Sequence, residues 1–362
     1  DVVIVNGGLG PTVDDLSQEV AAQAAGVALE LNEEWMGRML RYFEGRGRTM
    51  SPNNTKQAML PKGAELVDNP IGTACGFGVD IGQARFYFTP GVPRELHRML
   101  EEELIPRMLD KLGRRDVIVL KRFHSYGLGE SHADQLLAGL EALVPDGSLK
   151  LGFRAHYPQL ETKLTVRGTS AEDVAAKLAP ITAEVHRRMG NFILAEDGET
   201  VEGIALDELR QRQGTLAVLE SFTGGQVSAR MAPLPQAKGV LRHGLVLLDP
   251  AQQRSFAGLS ANGGLALEEA ETRVLAQALR EQTEATHGMA VLVHLRDEGT
   301  GPNLTGHIAI AIAEESGTVY RGSSLRGNRD WVRLGATEMA LDSLRRHLRG
   351  LPLEERTDFE NR

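Results

Sequence analysis

The stretch that decides the fold of the first part of the chain is VVIVNGGLGPTVDDLSQE, residues 2–19. It opens with Val2 to Val5, a continuous run of β-branched apolar residues that ends at Asn-Gly. Such a run is typical of a central parallel strand that is buried on both faces. We therefore predict a buried strand, with the glycine-rich turn at its carboxyl end.

A helix is predicted directly after this turn. From residue 15 onward the apolar residues recur every three or four positions, at Leu16, Val20, Ala24 and Val27. That spacing predicts one apolar helical face that packs on the sheet. Asp14 or Asp15 is expected to cap the first amides of the helix, and Gln18 stands where a capping box places a glutamine.

The glycines of the turn have two interpretations. Gly7, Gly8 and Gly10 let the backbone adopt positive φ and let a ligand approach closely. Beside a helix N-terminus they then favour an anion-binding site. Alternatively, they only form a tight turn, and the aspartates only cap the helix. The stretch is neither a Walker loop nor the GxGxxG dinucleotide motif.

Composition narrows the class of protein. The chain has 362 residues, 41% of them hydrophobic, which suits two or three globular domains. Its 49 acidic residues outnumber 40 basic ones, so nucleic-acid and anionic-membrane binding are not favoured by charge. The single cysteine, Cys75, excludes an internal disulfide and suits a reducing compartment. We expect a cytoplasmic protein without a membrane span or signal peptide.

Hydrophobic patterns divide the chain into three segments and a tail. Residues 1–113 alternate strand-like and helix-like stretches, as in an α/β domain. Residues 115–195 form a small α+β segment, and residues 200–351 form a second α/β segment in which a strand runs into Glu220-Ser-Phe-Thr-Gly-Gly225. The acidic tail, 352–362, is expected to be solvated.

The individual elements follow from the same patterns. Helices are predicted at 32–46, 93–109, 131–143, 171–188, 201–213 and 330–349. Strands are predicted at 65–67, 85–88, 117–123, 161–166, 215–219, 245–248, 289–293 and 307–313.

Four motifs, in this order and spacing, resemble the CinA family: GGLGPTVDDLS (7–17), NNTKQAMLP (53–61), NPIGTACGF (69–77) and TPGVPRE (89–95). The resemblance covers essentially the whole chain. It implies a three-layer α/β domain of the molybdopterin-binding type, a KH-like α+β domain, and a C-terminal α/β domain related to nicotinamide mononucleotide deamidases. Because the chain begins at Asp1 and directly enters a strand, the family pattern also implies an earlier strand and helix before it.

The resemblance implies a nucleotide site in the first domain. Family members are associated there with metal-dependent hydrolysis of ADP-ribose. Carried onto this sequence, the substrate-binding residues are Gly7, Gly8, Gly10, Pro11, Thr12, Asn54, Lys56, Gln57, Gly72, Thr73, Pro90 and Gly91. Asp15 and Asp14 are the catalytic residues, and Asp15 with Glu95 would hold a divalent metal ion, Mg, Mn or Co. Lys56 is otherwise a surface lysine, and Glu95 otherwise only complements a helix dipole.

The last domain departs from the family pattern. The usual AESCTGG reads LESFTGG here, which keeps the residues Ser221, Thr223, Gly224 and Gly225. The tyrosine and lysine thought to activate the serine are replaced by Leu248 and Gln253. Neither side chain can accept a proton from a serine. A later glycine-rich element is also eroded, at 296–305. We therefore expect the fold to be retained, the deamidase to be lost and Ser221 to be a relic.

Three functions follow. The first is a metal-dependent pyrophosphatase that acts on ADP-ribose or a related breakdown product of pyridine nucleotides. The second is a non-catalytic nucleotide-binding or scaffolding protein, linked to the competence or DNA-damage responses in the family's name. The third, a molybdopterin-handling protein, rests on the fold alone. Self-association is expected, with Trp35 and Met39 offering an apolar stripe that could equally be core.

Overall fold

The computed structural model of the chain describes residues 1–113, 116–260, 269–297, 304–355 and 357–360. These residues divide into two units, Asp1–Arg115 and Asp116–Arg362. Across the described residues, no helix combines the length and the apolarity that crossing a membrane requires. The division of the chain into three domains and a tail stays a prediction.

The first unit has a four-stranded sheet in the order β1-β6-β5-β4. Its strands are β1 (Val2–Asn6), β4 (Glu65–Val67), β5 (Gly76–Ile81) and β6 (Ala84–Thr89). β1 pairs with β6 in parallel, and the other pairs are antiparallel. Two short strands, β2 (Leu29–Leu31) and β3 (Met59–Pro61), form a separate antiparallel pair. The predicted strands at 65–67 and 85–88 are confirmed.

Helices cover both faces of this sheet, which gives the three layers expected from the sequence. The helices are α1 (Ser17–Ala25), α2 (Glu33–Glu44), α3 (Pro93–Met99) and α4 (Ile105–Leu112), with a 3-10 helix at Pro52–Ala58. The predicted helix at 93–109 exists, but a π-helical turn, Leu100–Leu104, separates α3 from α4. Pro106 lies at the start of α4 and has no N–H to donate, which explains the break in the hydrogen-bond ladder.

The prediction for the first strand is wrong in one respect. β1 is a strand, but among the described residues it pairs only with β6, at the edge of the sheet. Its Ile4 side chain is 41% exposed. A continuous β-branched run favours a strand, but its sequence does not specify how many neighbours that strand has.

The predicted packing of α1 is also wrong. The helix starts at Ser17 and its N-cap, Leu16, makes no side-chain cap, so neither aspartate caps it. Leu16 and Val20 are 48% and 56% exposed. The buried residues are Gln18, Ala21 and Ala22, and the small side chains of the two alanines let the helix lie close to β3 and β5.

The aromatic core of the first unit lies under α2. Trp35 and Met39 are fully buried, and the indole Nε1 of Trp35 donates to the Thr73 carbonyl at 3.0 Å. The rings of Phe77 and Phe88 stack at 4.6 Å between centroids. Trp35 and Met39 are therefore core residues and supply no surface for self-association, which stays a prediction.

The second unit begins with an antiparallel sheet in the order β10-β7-β9-β8. Its strands are β7 (Val117–Tyr126), β8 (Leu149–His156), β9 (Gln159–Gly168) and β10 (Ile193–Glu196). The helices α5 (Glu130–Leu136) and α6 (Ala171–Met189) pack on it. The sequence predicted β7, β9 and both helices, but it missed β8 and β10.

A five-stranded sheet follows in the order β12-β11-β13-β14-β15. The strands are β11 (Leu216–Glu220), β12 (Leu241–Val246), β13 (His287–Asp297), β14 (Leu304–Glu314) and β15 (Gly317–Gly327). β11 is parallel to both β12 and β13, whereas β14 and β15 are antiparallel additions. The predicted strand at 245–248 lies earlier, so Leu248 falls in the following loop, and β15 was not predicted.

Helices cover both faces of this second sheet as well. They are α7 (Val201–Gln211), α8 (Gln226–Met231), α9 (Pro250–Phe256), α10 (Glu269–Thr283) and α11 (Arg329–Leu348). α7, α8 and α11 pack on one face, and α10 packs on the other with α9 beside it. The sequence predicted α7 and α11 and missed the other three helices.

The described residues 357–360 of the tail pack against the rest of the second unit rather than being solvated, contrary to the prediction. Glu360 accepts hydrogen bonds from Arg321 at 2.8 Å and from the Tyr126 hydroxyl at 3.0 Å. Burial is the main cause that raises the pKa of Tyr126 well above its usual value, and the Glu360 charge adds to it. The Phe359 ring contacts Tyr126 and Tyr157 edge-on. An acidic segment can thus be buried when arginines lie under it.

Candidate functional site

Two motifs, each made of a strand, a glycine turn and a helix, are candidates for a functional site. The first motif follows β1. Gly7 and Gly8 have φ of +99° and +72°, values that favour glycine. The Gly7 amide donates to the Thr89 carbonyl at 2.8 Å, and the Ser17 hydroxyl donates to the Gly7 carbonyl at 2.9 Å. A Cβ at Gly8 would overlap the Ser17 hydroxyl. The glycines are therefore required by the turn itself.

Asp15 stabilises this turn from within. Its carboxylate accepts hydrogen bonds from the Thr12 amide at 2.9 Å and from the Thr12 hydroxyl. The hydroxyl bond is the main cause that lowers the pKa of Asp15. Lys56 donates to the Thr12 carbonyl at 3.3 Å and pairs with Glu19 at 3.4 Å. The structure thus brings Thr12, Asp15 and Lys56 together, while Asp14 is exposed.

Some of the other predicted substrate-binding residues contact one another. The Asn54 amide donates to Gln57, which is buried, at 2.9 Å. Gly91 lies close to Gly7, as shown by the distance of 3.4 Å that a Cβ added at Gly91 would have from the Gly7 Cα. The remaining predicted residues hold backbone positions around the turn and the neighbouring strand ends, namely Gly10, Pro11, Thr73 and Pro90. Their role in binding stays a prediction.

Glu95, the second predicted metal ligand, lies in a separate cluster. It accepts a hydrogen bond from the Asn69 amide at 2.8 Å. Asn69 in turn accepts from the Gly72 amide at 3.1 Å, and a Cβ at Gly72 would overlap the Glu95 carboxylate. Glu95 and Asp15 thus each have protein partners. Within the described ranges, neither belongs to a cluster of three potential metal ligands, and the metal site expected at Asp15 and Glu95 stays a prediction.

The cavity beside this turn is apolar. Its volume is about 420 Å³, and the exposed side of α1 and the edge of the sheet line it. The lining residues include Val5, Asp14, Leu16, Val20 and Phe86. Asp14 is its one charged lining residue, and its negative charge does not attract a phosphate. Gly8 is the one predicted substrate-binding residue in the lining of this cavity, so the nucleotide site itself stays a prediction.

The second motif of this kind follows β11 and carries Ser221. Gly224 and Gly225 have φ of +67° and +89°, so the turn requires both glycines. The Ser221 amide donates to the Val291 carbonyl at 3.0 Å, and the Val293 amide donates to Ser221 Oγ at 2.8 Å. The serine is therefore held by β13 on two sides.

Glu220, at the end of β11, anchors the turn that carries Ser221. Its carboxylate is fully buried and accepts hydrogen bonds from the amides of Val227 and Ser228, at 3.0 and 2.9 Å. The Ser228 hydroxyl adds a third bond at 2.9 Å. Three donors satisfy the charge and join the end of β11 to α8. Sequence reasoning missed this role, although a glutamate at the end of LAVLE was a visible signal.

A cavity of about 340 Å³ opens above the serine. It is lined by Ser221, Phe222, Leu248, Pro250, Gln253, Leu292, Val293, His294, Leu295 and Arg329. His294 lies on β13, one residue after the amide that bonds Ser221, and Arg329 is the first residue of α11. These two side chains were missed, because they come from elements more than 70 residues away in the sequence.

Leu248 and Gln253 line this cavity, so their predicted place near the serine is confirmed. Gln253 is buried, and its amide donates to the Leu247 carbonyl at 2.7 Å. Thr223 is also buried, and its hydroxyl has no partner among the described residues. Most of the eroded glycine-rich element, residues 298–303, lies outside the described residues.

Together, the fold and this cavity define a class of protein. It combines an α/β domain of the molybdopterin-binding type, a KH-type α+β module and an α/β domain with a serine at a strand end. Family models match in the same order. Residues 1–110 match the probable molybdopterin binding domain, 120–195 the KH domain of damage-inducible protein CinA, and 198–348 the CinA C-terminal domain.

Full-length relatives are also similar. A CinA-like protein of Shewanella sp. strain MR-4 is 36% identical over 96% of this chain and 82% of its own length. A protein of Shewanella oneidensis named nicotinamide-nucleotide amidohydrolase PncC has the same identity and coverage. Among solved structures, a CinA superfamily protein from Enterobacter cloacae is 18% identical, with a TM-score of 0.37, over 42% of this chain and 94% of its own. The chain belongs to the CinA family.

These comparisons correct the predicted enzyme. A relative that is 36% identical over 96% of the chain bears the name of an amidohydrolase, and the segment with Ser221 matches the CinA C-terminal domain. The prediction of an ADP-ribose pyrophosphatase is therefore wrong, and the predicted loss of the deamidase has no support. The prediction considered only Leu248 and Gln253 as substitutes for the usual activating residues, and it overlooked His294 in the same cavity.

Proposed function

We propose that the chain is an amidohydrolase that releases ammonia from a pyridine mononucleotide, such as nicotinamide mononucleotide, in the Ser221 cavity. The observation that most directly supports this proposal is the arrangement of that cavity, in which Ser221, His294 and Arg329 line one space at the ends of β11 and β13. The name of the relative from Shewanella oneidensis supports the choice of substrate.

Ser221 is the proposed nucleophile. Its Oγ accepts a hydrogen bond from the Val293 amide, which fixes the oxygen and leaves the hydroxyl proton available for transfer. Its attack on the carboxamide carbon forms a tetrahedral intermediate, ammonia leaves, and water then hydrolyses the acyl-enzyme. Glu220 does not take part directly; its three hydrogen bonds hold the turn that presents the serine.

His294 is the proposed proton acceptor. Of the described residues that line the cavity, it is the one with an imidazole, whose unprotonated ring nitrogen can accept a proton. It would take the proton from Ser221 and return it to the leaving ammonia. This role replaces the one that Leu248 and Gln253 cannot perform.

Arg329 is the proposed phosphate-binding residue. Its guanidinium lies 5.2 Å from the centroid of the Phe222 ring. Among the residues that the structure describes, no carboxylate forms an ion pair with it, so its charge is available to an anionic ligand. The volume of about 340 Å³ is near the lower end for ligand pockets, which favours a mononucleotide over a dinucleotide.

The first test is ammonia release from nicotinamide mononucleotide by the full chain and by Ser221→Ala. We expect turnover in the wild type and a loss of about 10³-fold or more in the variant. Ser131→Ala, which changes an exposed serine on α5, is the matched control and should keep full activity.

A second measurement, ligand-induced thermal stabilisation, separates catalysis from binding. Nicotinamide mononucleotide should stabilise both the wild type and Ser221→Ala, because the variant keeps Arg329. Stabilisation of the wild type without any ammonia release would instead support the non-catalytic nucleotide-binding protein. If nicotinamide mononucleotide neither stabilised the protein nor was turned over, the proposal would be overturned.

A further inference from the structure

Three potential metal ligands converge on the second unit at the edge of its five-stranded sheet opposite to Ser221. His287 is the first residue of β13, Glu314 is the last residue of β14, and His347 lies near the end of α11. Because β13 runs parallel to β11, its first residue lies far from the end of β11, where Ser221 is found. This cluster is therefore separate from the proposed catalytic cavity.

The distances in this cluster suit a shared ion better than hydrogen bonds. Nε2 of His287 lies 3.6 Å from one carboxylate oxygen of Glu314, and Nε2 of His347 lies 3.5 Å from the other. All the ligand atoms lie within 4.8 Å of one another. Hydrogen bonds would be shorter, whereas two ligands of one tetrahedral Zn²⁺ ion lie about 3.3–3.5 Å apart, given bonds of about 2.0–2.1 Å.

The orientation of the His287 ring is fixed by a neighbouring hydroxyl. Nδ1 of His287 lies 2.8 Å from the Thr286 hydroxyl oxygen, and that hydroxyl donates its own hydrogen to the Thr215 carbonyl. Nδ1 must therefore be the nitrogen that carries the hydrogen. Nε2 then carries the lone pair, and it is this nitrogen that lies 3.6 Å from Glu314. Outer partners prepare a histidine for a metal in this way.

Burial favours the neutral, metal-binding form of both rings. The side chains of His287 and His347 are only 9% and 11% exposed, and desolvation lowers the pKa of each. Glu314 is 35% exposed, which leaves solvent access for an ion and for a water ligand. Arg212 also faces the two rings, but it is engaged by the Leu348 carbonyl and by Glu208.

We propose that His287, Glu314 and His347 bind one divalent transition-metal ion of the zinc type, which joins β13, β14 and α11. Two imidazoles and one carboxylate are a ligand set that Zn²⁺ accepts, with water in the fourth position.

The test uses the full chain without an affinity tag, stripped with a chelator and titrated with Co²⁺ at neutral pH. We expect one Co²⁺ per chain, with the visible absorption of a tetrahedral site. Zn²⁺ should displace it and raise the temperature of unfolding. Removing a direct ligand with His347→Ala should weaken binding by more than the roughly 10- to 100-fold that loss of an outer partner costs.

Two further variants complete the design. His156→Ala removes an exposed histidine on β8 and should bind Co²⁺ like the wild type. If His347→Ala is unfolded without metal, the half-exposed ligand variant Glu314→Gln takes its place. Absence of a tetrahedral Co²⁺ spectrum in the wild type, or an unchanged spectrum in the ligand variants, would overturn the proposal. Ammonia release is not part of the readout, so the result is independent of the Ser221 chemistry.

Discussion

The turn after β1 and the turn after β11 look alike in sequence but differ in how their polar groups are used. In the first, the Asp15 carboxylate is occupied by Thr12, and Ser17 is occupied by the Gly7 carbonyl. In the second, a buried carboxylate, Glu220, anchors the helix, and the Ser221 hydroxyl faces a cavity. The side chains of the first turn stabilise it, whereas the second turn presents a reactive group.

The cavities beside the two turns also differ in the chemistry of the residues that line them. Apolar residues of α1 and β6 line the first, together with the charged Asp14. Phe222 packs beside His294 and Arg329 in the second. A glycine turn at a strand end thus defines a possible site, while residues from other elements determine its chemistry.

The largest expected effect that bears on this comparison comes from His294→Gln. If His294 accepts the serine proton, the variant should lower kcat for nicotinamide mononucleotide by about 10²–10³-fold. KM should change little, because Arg329 still holds the phosphate. Steady-state ammonia release measures both constants.

His243→Gln is the control for His294→Gln. It alters an exposed histidine on β12 and should leave kcat unchanged. An unchanged kcat in His294→Gln would mean that the Ser221 turn, like the Gly7 turn, has no proton acceptor of its own.

The next largest effect is expected from Glu220→Gln. The amide nitrogen of a glutamine would face donors, so one or more of the bonds to Val227 and Ser228 would be lost. We expect the free energy of unfolding to fall by about 2–3 kcal/mol, as for hydrogen bonds to charged groups. Chemical denaturation of the second unit's signal measures this change.

Glu315→Gln is the matched control for that experiment. Glu315 is exposed in the turn between β14 and β15, and its substitution should leave the midpoint unchanged. An equal midpoint for Glu220→Gln would show that the carboxylate is not the anchor of the Ser221 turn, and the contrast between the two turns would be lost.

The existence of both turns was predictable from the sequence, but their roles were not. The periodicity around residues 16–27 indicated a helix correctly, yet its more hydrophobic side is exposed and Ala21 and Ala22 pack on the sheet. The spacing of hydrophobic residues along the sequence identifies a helix. Which side of that helix is buried depends on how closely the helix can pack on the sheet. The same limit applies to β1, whose position in the sheet depends on pairing partners.

The chemistry of the Ser221 cavity was predictable only in part. The glycines and the serine were visible as one short motif, and Leu248 and Gln253 were placed near them correctly. His294 and Arg329 reach the cavity from β13 and α11, and no local pattern in the sequence links them to the serine. The packed tail was missed for a similar reason, because its partner Arg321 lies on β15.

The smallest expected effect concerns Asp15→Ala in the first turn. Removal of the bonds to Thr12 should lower the stability of the first unit by about 1 kcal/mol. Ammonia release at Ser221 should not change, because that reaction uses residues of the second unit. Asp14→Ala, which removes an exposed carboxylate beside it, is the control.

The pH dependence gives this last prediction its sign. The Thr12 bonds lower the pKa of Asp15 in the folded chain, so its stabilising contribution is present above the ordinary pKa of an aspartate and is lost as the pH falls through the lowered value. Wild type and Asp15→Ala should therefore differ at pH 7 and converge in acid. If Mg²⁺, Mn²⁺ or Co²⁺ stabilised the first unit of the wild type but not of Asp15→Ala, the carboxylate would be a metal ligand after all, and the two turns would each carry a site.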